Sequence, residues 1–80
     1  MTLGNGWIGE PEQLLHVLAT VGADRDAEGN FLIFGEPVIS GITGDVVVPA
    51  GAEYAVAGKR ANLAALLSST SYGQSIKVIS

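Results

Sequence analysis

Glycine fills 11 of the 80 positions in this chain, nearly twice the share of about 7% in an average protein, and nothing else limits its fold as tightly. Glycine weakens helix and strand interiors and is at home where a backbone turns. The chain therefore calls for many turns and β-connections rather than long helices. One segment escapes the punctuation. Glu10-Pro11-Glu12 places proline and acids where a first helical turn accepts them. From Pro11 to Val21 the residues Leu14, Val17, Leu18 and Val21 form one stripe at helical spacing, with Leu15 at its edge. Gly22 then stands where a left-handed residue ends a helix. His16 lies across from the stripe and reads as a solvated helix residue.

Short β-runs fill most of the remainder. "FLIF", Phe31 to Phe34, suits a buried strand, and "VIS" after Pro37 continues extended. "DVVVPAG" reads as a β-branched strand stopped by Pro49, turning through Ala50-Gly51 into "EYAVA", Glu53 to Ala57, with Tyr54 and Val56 on one face. In "GKRANLAALLSS", Leu63, Leu66 and Leu67 make a narrow stripe that predicts a short second helix from about Arg60 to Ser68. "STSYG" is turn-like, and "QSIKVIS" alternates Ile76 and Val78 against Lys77 as a final strand tying down the C-terminus. The opening "MTLGNGWIG" has three glycines and no period. It reads as a flexible arm over residues 1–9 with two apolar anchors, Trp7 and Ile8. The expected fold is α+β over residues 10–80: an N-terminal amphipathic helix, a small mainly antiparallel sheet, and a short second helix before a final strand.

Composition says how such a small domain could be stable. An 80-residue chain buries only about 60% or slightly more of its unfolded surface. It has no cysteine, so disulfides and thiolate zinc sites are excluded, and one histidine cannot build a histidine-rich metal centre. Hydrophobic residues make up 48% and charged residues 15%, against about 25% charged in an ordinary soluble domain. Few charges remain to cover the outside, which points to burial of surface against other chains. Apolar runs stop well short of the 18 or more residues of a membrane span, and no basic-then-apolar leader opens the chain. A soluble protein is expected, without membrane insertion. The formal net charge is −4, which does not suit a nucleic-acid partner. Residues 1–40 hold six acids and one base, net −5, whereas residues 41–80 hold two acids and three bases, net +1. Such a division could orient head-to-tail contacts between copies.

The sharpest chemical motif is "ADRDAEGNF", Ala23 to Phe31. Counted as a calcium loop from Asp24, it supplies Asp26, Glu28, Gly29 and Asn30 at the third, fifth, sixth and seventh positions. The twelfth position, which needs a bidentate glutamate, is Gly35, and Pro37 prevents an exit helix. Asp24, Asp26, Glu28 and Asn30 are the metal candidates, but turn chemistry explains the same residues and calcium is not expected. Gly58-Lys59 lacks the earlier glycine of a P-loop and has Arg60 where Ser or Thr is needed. No Gly-x-Ser-x-Gly elbow is present. Neither an enzyme nor a resident cofactor is expected.

"ISGITGDVVVPAGAEYAVAGK", Ile39 to Lys59, resembles the strand, Val-Pro-Ala-Gly, strand hairpins of small head-decoration and other accessory structural proteins of tailed bacteriophages. It covers about a quarter of the chain. Such proteins are small, poor in cysteine and rich in glycine, alanine and valine, and they stabilise a capsid as repeated copies. The helix ahead of the hairpin departs from that pattern and leaves a tail, connector or baseplate role open. The segment is also similar to half of a lipoyl or biotinyl carrier domain, but Lys59 and Lys77 do not fall in the hairpin-tip setting those domains need.

The expected role is a non-enzymatic structural or assembly protein present in many copies, as a virion component such as a capsid decoration protein. Its partners would be itself or a larger protein assembly, with Trp7, Ile8, Val46, Val47, Val48 and Tyr54 as contact residues. The alternatives are a small regulatory or cation-binding domain and an accessory subunit of a bacterial complex. The expected location is the cytoplasm, or the virion for a viral protein.

Overall fold

A computed structural model describes residues 6–70 and 77–79 of the chain. In order these residues form β1 (Gly6–Gly9), α1 (Pro11–Thr20), β2 (Ile33–Phe34), β3 (Val38–Ile39), β4 (Val46–Val48), β5 (Glu53–Val56), β6 (Lys59–Asn62), α2 (Leu63–Ser68) and β7 (Lys77–Ile79). The fold is α+β, with the strands in two antiparallel sheets. The first sheet runs β3-β4-β1-β7 and the second β2-β5-β6.

The largest departure from expectation is at the N-terminus. Residues 6–9 are an inner strand and not part of an arm; residues 1–5 lie outside the described residues. On one side Trp7 pairs with Val48, and on the other with Val78. Its side chain is fully buried, in a core shared with Leu18, Val48, Leu63 and Leu67. The flanking glycines, which suggest flexibility in the sequence, are positions of close approach. A Cβ at Gly6 would lie 2.5 Å from the Val48 carbonyl oxygen, and one at Gly9 would lie 2.6 Å from Gln13 Oε1 and 2.7 Å from Trp7 Cζ2. Glycine here makes room for the indole and the neighbouring strand.

α1 follows the sequence pattern. The Glu10 N–H donates to Gln13 Oε1 at 2.9 Å, which satisfies a backbone donor at the helix entry. Leu14, Val17 and Leu18 are buried, whereas Leu15 is 51% exposed at the edge of the stripe. At the exit Gly22 takes φ 74°. Its N–H donates to the Ala19 carbonyl at 3.2 Å, and the Ala23 N–H to the Leu18 carbonyl at 2.9 Å. That pair of bonds is the Schellman closure, with Ala23 buried beside Leu18 as its apolar contact.

The Val-Pro-Ala-Gly segment does not close a hairpin. Its turn, with the Ala52 N–H on the Pro49 carbonyl at 3.0 Å, carries the chain from β4 in the first sheet to β5 in the second. Proline at the exit of β4 has no N–H with which to continue that ladder. The tight hairpins lie on either side. β3 and β4 are joined through Ser40–Asp45, where the Ser40 N–H donates to the Asp45 carbonyl and the Gly44 N–H to the Ser40 carbonyl. β5 and β6 are joined by the two-residue turn Ala57-Gly58, at φ 54° and 79°, the positive pair of a type I′ turn. That turn also corrects the second helix. Residues 59–62 are drawn into β6, with Val56 opposite Lys59 and Glu53 opposite Asn62, so α2 begins only at Leu63. Asn62 caps it, accepting from the Ala65 N–H at 2.7 Å. Leu63 and Leu67 are fully buried as the stripe implies.

"FLIF" forms a shorter and less buried strand than expected. Only Ile33 and Phe34 pair with β5, all four residues are half-buried, and Phe31 meets Arg25 in an isolated bridge. The final strand is present over residues 77–79; Ile76 and the "STSYG" turn from Ser71 onward lie outside the described residues. Among the described residues no helix is long and apolar enough to cross a membrane.

Candidate functional site

The acidic loop is built from backbone hydrogen bonds. Asp24 leaves the loop altogether: its Oδ1 accepts from the Ala57 N–H and its Oδ2 from the Gly58 N–H, both at 2.8 Å. The Asp24 backbone N–H also donates to the Ala55 carbonyl at 2.7 Å. One residue thus fastens the α1–β2 connection to the β5–β6 turn. Asp26 serves its own loop, with Oδ1 accepting from the Glu28 and Asn30 N–H groups at 2.9 Å each. The Gly29 N–H reaches the Asp26 carbonyl at 3.1 Å, and Gly29 takes φ 87°. This is an Asx turn, the chemistry that places aspartate and glycine together in loops.

Of the four metal candidates, then, Asp24 and Asp26 point at different sets of amides, Glu28 contributes its backbone N–H to Asp26, and Asn30 contributes both its backbone N–H and its side chain. The structure does not bring the four side chains together. Among the described residues no group of three or more His, Cys, Asp or Glu side chains is placed to hold a metal ion.

The Asn30 N–H, opposed by desolvation and helped by the Glu28 N–H, the Asn30 side chain and the Gly29 N–H, holds the Asp26 carboxyl below its ordinary value of 3.8. A carboxylate with a depressed folded pKa stabilises the fold above its unfolded pKa, and that contribution is lost as pH falls through the folded value. The loop is therefore expected to hold its geometry through the ordinary carboxyl range and to open only as pH falls through the lowered Asp26 value. An acid titration followed through the Glu28 and Asn30 amide resonances checks this, since Asp26→Asn should remove the transition.

Two arginines place their guanidinium carbons over phenylalanine rings: Arg25 over Phe31 at 4.3 Å and Arg60 over Phe34 at 3.8 Å. Arg60 and Phe34 are on the two outer strands of the second sheet, bracketing the buried Ala55 of β5. These contacts cover aromatic surface and engage both guanidinium faces. Lys59 is exposed and directly follows the β5–β6 turn, so it does sit near a hairpin tip, a setting hidden while the residues from about Arg60 onward read as helix. A depression of about 430 Å³ lined by Ala50, Asn62, Ala64, Ala65, Ser68 and Val78 contains no titratable side chain.

The sequence-predicted contact residues divide by sheet face. Trp7, Val46 and Val48 point into the core, as does Tyr54 from the second sheet. They hold the fold together and are not surface anchors. Ile8 and Val47 are opposite each other on the outer face and half-buried. Val38 extends this apolar row, paired with Val47 and 61% exposed. Beside it Ile39 is 65% exposed, and Ile42, at the tip of the β3–β4 hairpin, is 96% exposed. On the opposite edge of the same sheet Val78 is 56% exposed. Sequence reasoning missed Val38, Ile39 and Ile42. The available signal was Ile42 itself, an isoleucine set between Gly41 and Thr43-Gly44 in a turn with no face to bury it.

The site so defined is an apolar hairpin edge on a small two-sheet α+β domain. Comparison with protein-family models, curated proteins and solved structures finds no match to this chain.

Proposed function

We propose that this protein is a non-enzymatic structural subunit that works in many copies, of the kind that decorates or completes a viral particle. The observation that carries the reading is the exposed row Val38, Ile39 and Ile42 on one hairpin. Three large aliphatic side chains on the open edge of a sheet are the feature that soluble monomers avoid with charge, proline or covering loops. In a chain with 15% charged residues, a neighbouring protein surface is the natural cover. The resemblance of Ile39 to Lys59 to accessory proteins of tailed bacteriophages adds the virion to this reading. An accessory subunit of a bacterial complex, in the cytoplasm, would present the same edge.

Light scattering of the purified chain across a concentration series, with and without millimolar calcium, tests the proposal. The mass should rise with concentration and should not respond to calcium. A single-chain mass throughout would overturn it, and a mass that changes only with calcium would favour a cation-binding role for the acidic loop.

A further inference from the structure

Among the described residues β3 and β7 are the two open edges of the first sheet, and we propose that they join different copies head to tail, β3 of one chain adding to β7 of the next. This specifies the self-association put forward above and rests on it. Strand direction is the first argument. β3, β4, β1 and β7 alternate in direction across the sheet, because each neighbouring pair is antiparallel. A second copy displaced along the sheet sets its β3 antiparallel to β7 of the first, and the alternation continues unbroken.

The backbone at the β3 edge is free to take part. Ser40 directs its N–H and C=O toward the β4 side of the hairpin. In an antiparallel ladder successive residues alternate sides, so Ile39 directs its N–H and C=O to the open edge. Its 65% exposed side chain, with Val38 and Ile42, accompanies those groups, while β7 presents Val78 at 56% exposure.

Charge selects this pairing over a two-fold one. The stretch from Glu36 to Asp45 that contains β3 holds two acids and no base, whereas β7, Lys77–Ile79, holds one base and no acid. Two β3 edges joined about a two-fold axis would gather the acids flanking β3 from both copies at one contact with no base, which is electrostatically unfavourable. A β3 edge on a β7 edge opposes unlike charges. A head-to-tail contact of this kind repeats from copy to copy, giving a ring where the rotation closes and a filament where it does not.

A complementation experiment on the full chain tests the pairing. Ile39→Pro removes the outward N–H of β3 without removing a bond to β4, and Val78→Glu places an acid on β7. Circular dichroism and Trp7 emission establish that each variant is folded; Ile39→Lys replaces the proline variant if the hairpin is disturbed. Each variant alone should keep a single-chain mass at concentrations where the wild type grows. An equimolar mixture should form a dimer and stop there, because one intact β3 edge and one intact β7 edge remain. If Val78→Glu still dimerises alone while Ile39→Pro does not, the contact is two-fold through β3 and the proposal fails. If the wild type assembles and neither variant interferes, the edges are not the contact, although the assembly reading stands. A wild type that never leaves the single-chain mass removes both.

Discussion

Replacement of Trp7 by alanine is expected to cost about 3–5 kcal/mol, the range for removing a large aromatic side chain from a packed core. A domain of 80 residues has on the order of 4–12 kcal/mol of stability in total. The variant should therefore retain little or no folded population at elevated temperature, and urea unfolding followed by circular dichroism measures the loss. The indole is fully buried on an inner strand and packs so closely over Gly9 that a Cβ there would lie 2.7 Å from Trp7 Cζ2. Trp7→Phe is the informative control. The Trp7 Nε1–H is buried without a hydrogen-bond partner among the described residues, and an orphaned donor costs about 1–3 kcal/mol. Phenylalanine removes that donor while keeping much of the ring, so its loss should be well below that of alanine. Equal losses for the two variants would mean that the indole's shape, and not its burial, decides the packing.

The second large effect is expected at Asp24. Its two carboxylate oxygens hold the Ala57 and Gly58 N–H groups, and charge-assisted bonds of this type contribute about 1.5–3 kcal/mol each at most. Part exposure and competing water reduce the sum, and Asp24→Ala should cost about 2–3 kcal/mol in urea unfolding. Asp24→Asn keeps one acceptor oxygen and should lose roughly half as much. Hydrogen exchange at the Ala57 and Gly58 amides should accelerate in both variants. An Asp24→Ala protein as stable as the wild type would return the acidic stretch to consideration as a ligand loop.

Where local patterning decides the structure, it was legible in the sequence. α1 carries its own stripe, its proline entry and its Gly22 exit, and needs no distant information. The same holds for the Leu63–Leu67 stripe and for the β-branched run at Val46 to Val48. The errors share one physical origin, because a residue's partner across a sheet is not written beside it. Glycines at 6 and 9 look like flexibility until Val48 and Gln13 are placed against them. Residues 59–62 have helix-compatible composition and become a strand only because Ala57-Gly58 folds them back onto β5. The acidic stretch reads as a turn, and what its sequence hides is where Asp24 bonds, because its partners lie more than thirty residues away at Ala57 and Gly58. For the contact surface, the sequence indicated which residues were apolar, and the sheet decided which of them face out.

The position of β1 also bears on how the chain is made. Its partners on either side, Val48 and Val78, come 41 and 71 residues after Trp7. During synthesis β1 emerges before every other described strand and is among the last to be completed, and until β7 arrives Trp7 lacks one wall of its enclosure. Long-range pairing of this kind slows folding and prolongs the exposure of apolar segments. Assembly into many copies would then draw on chains that finish folding only after translation has passed β7, and a ribosome stalled before that strand would hold a sticky, incomplete sheet.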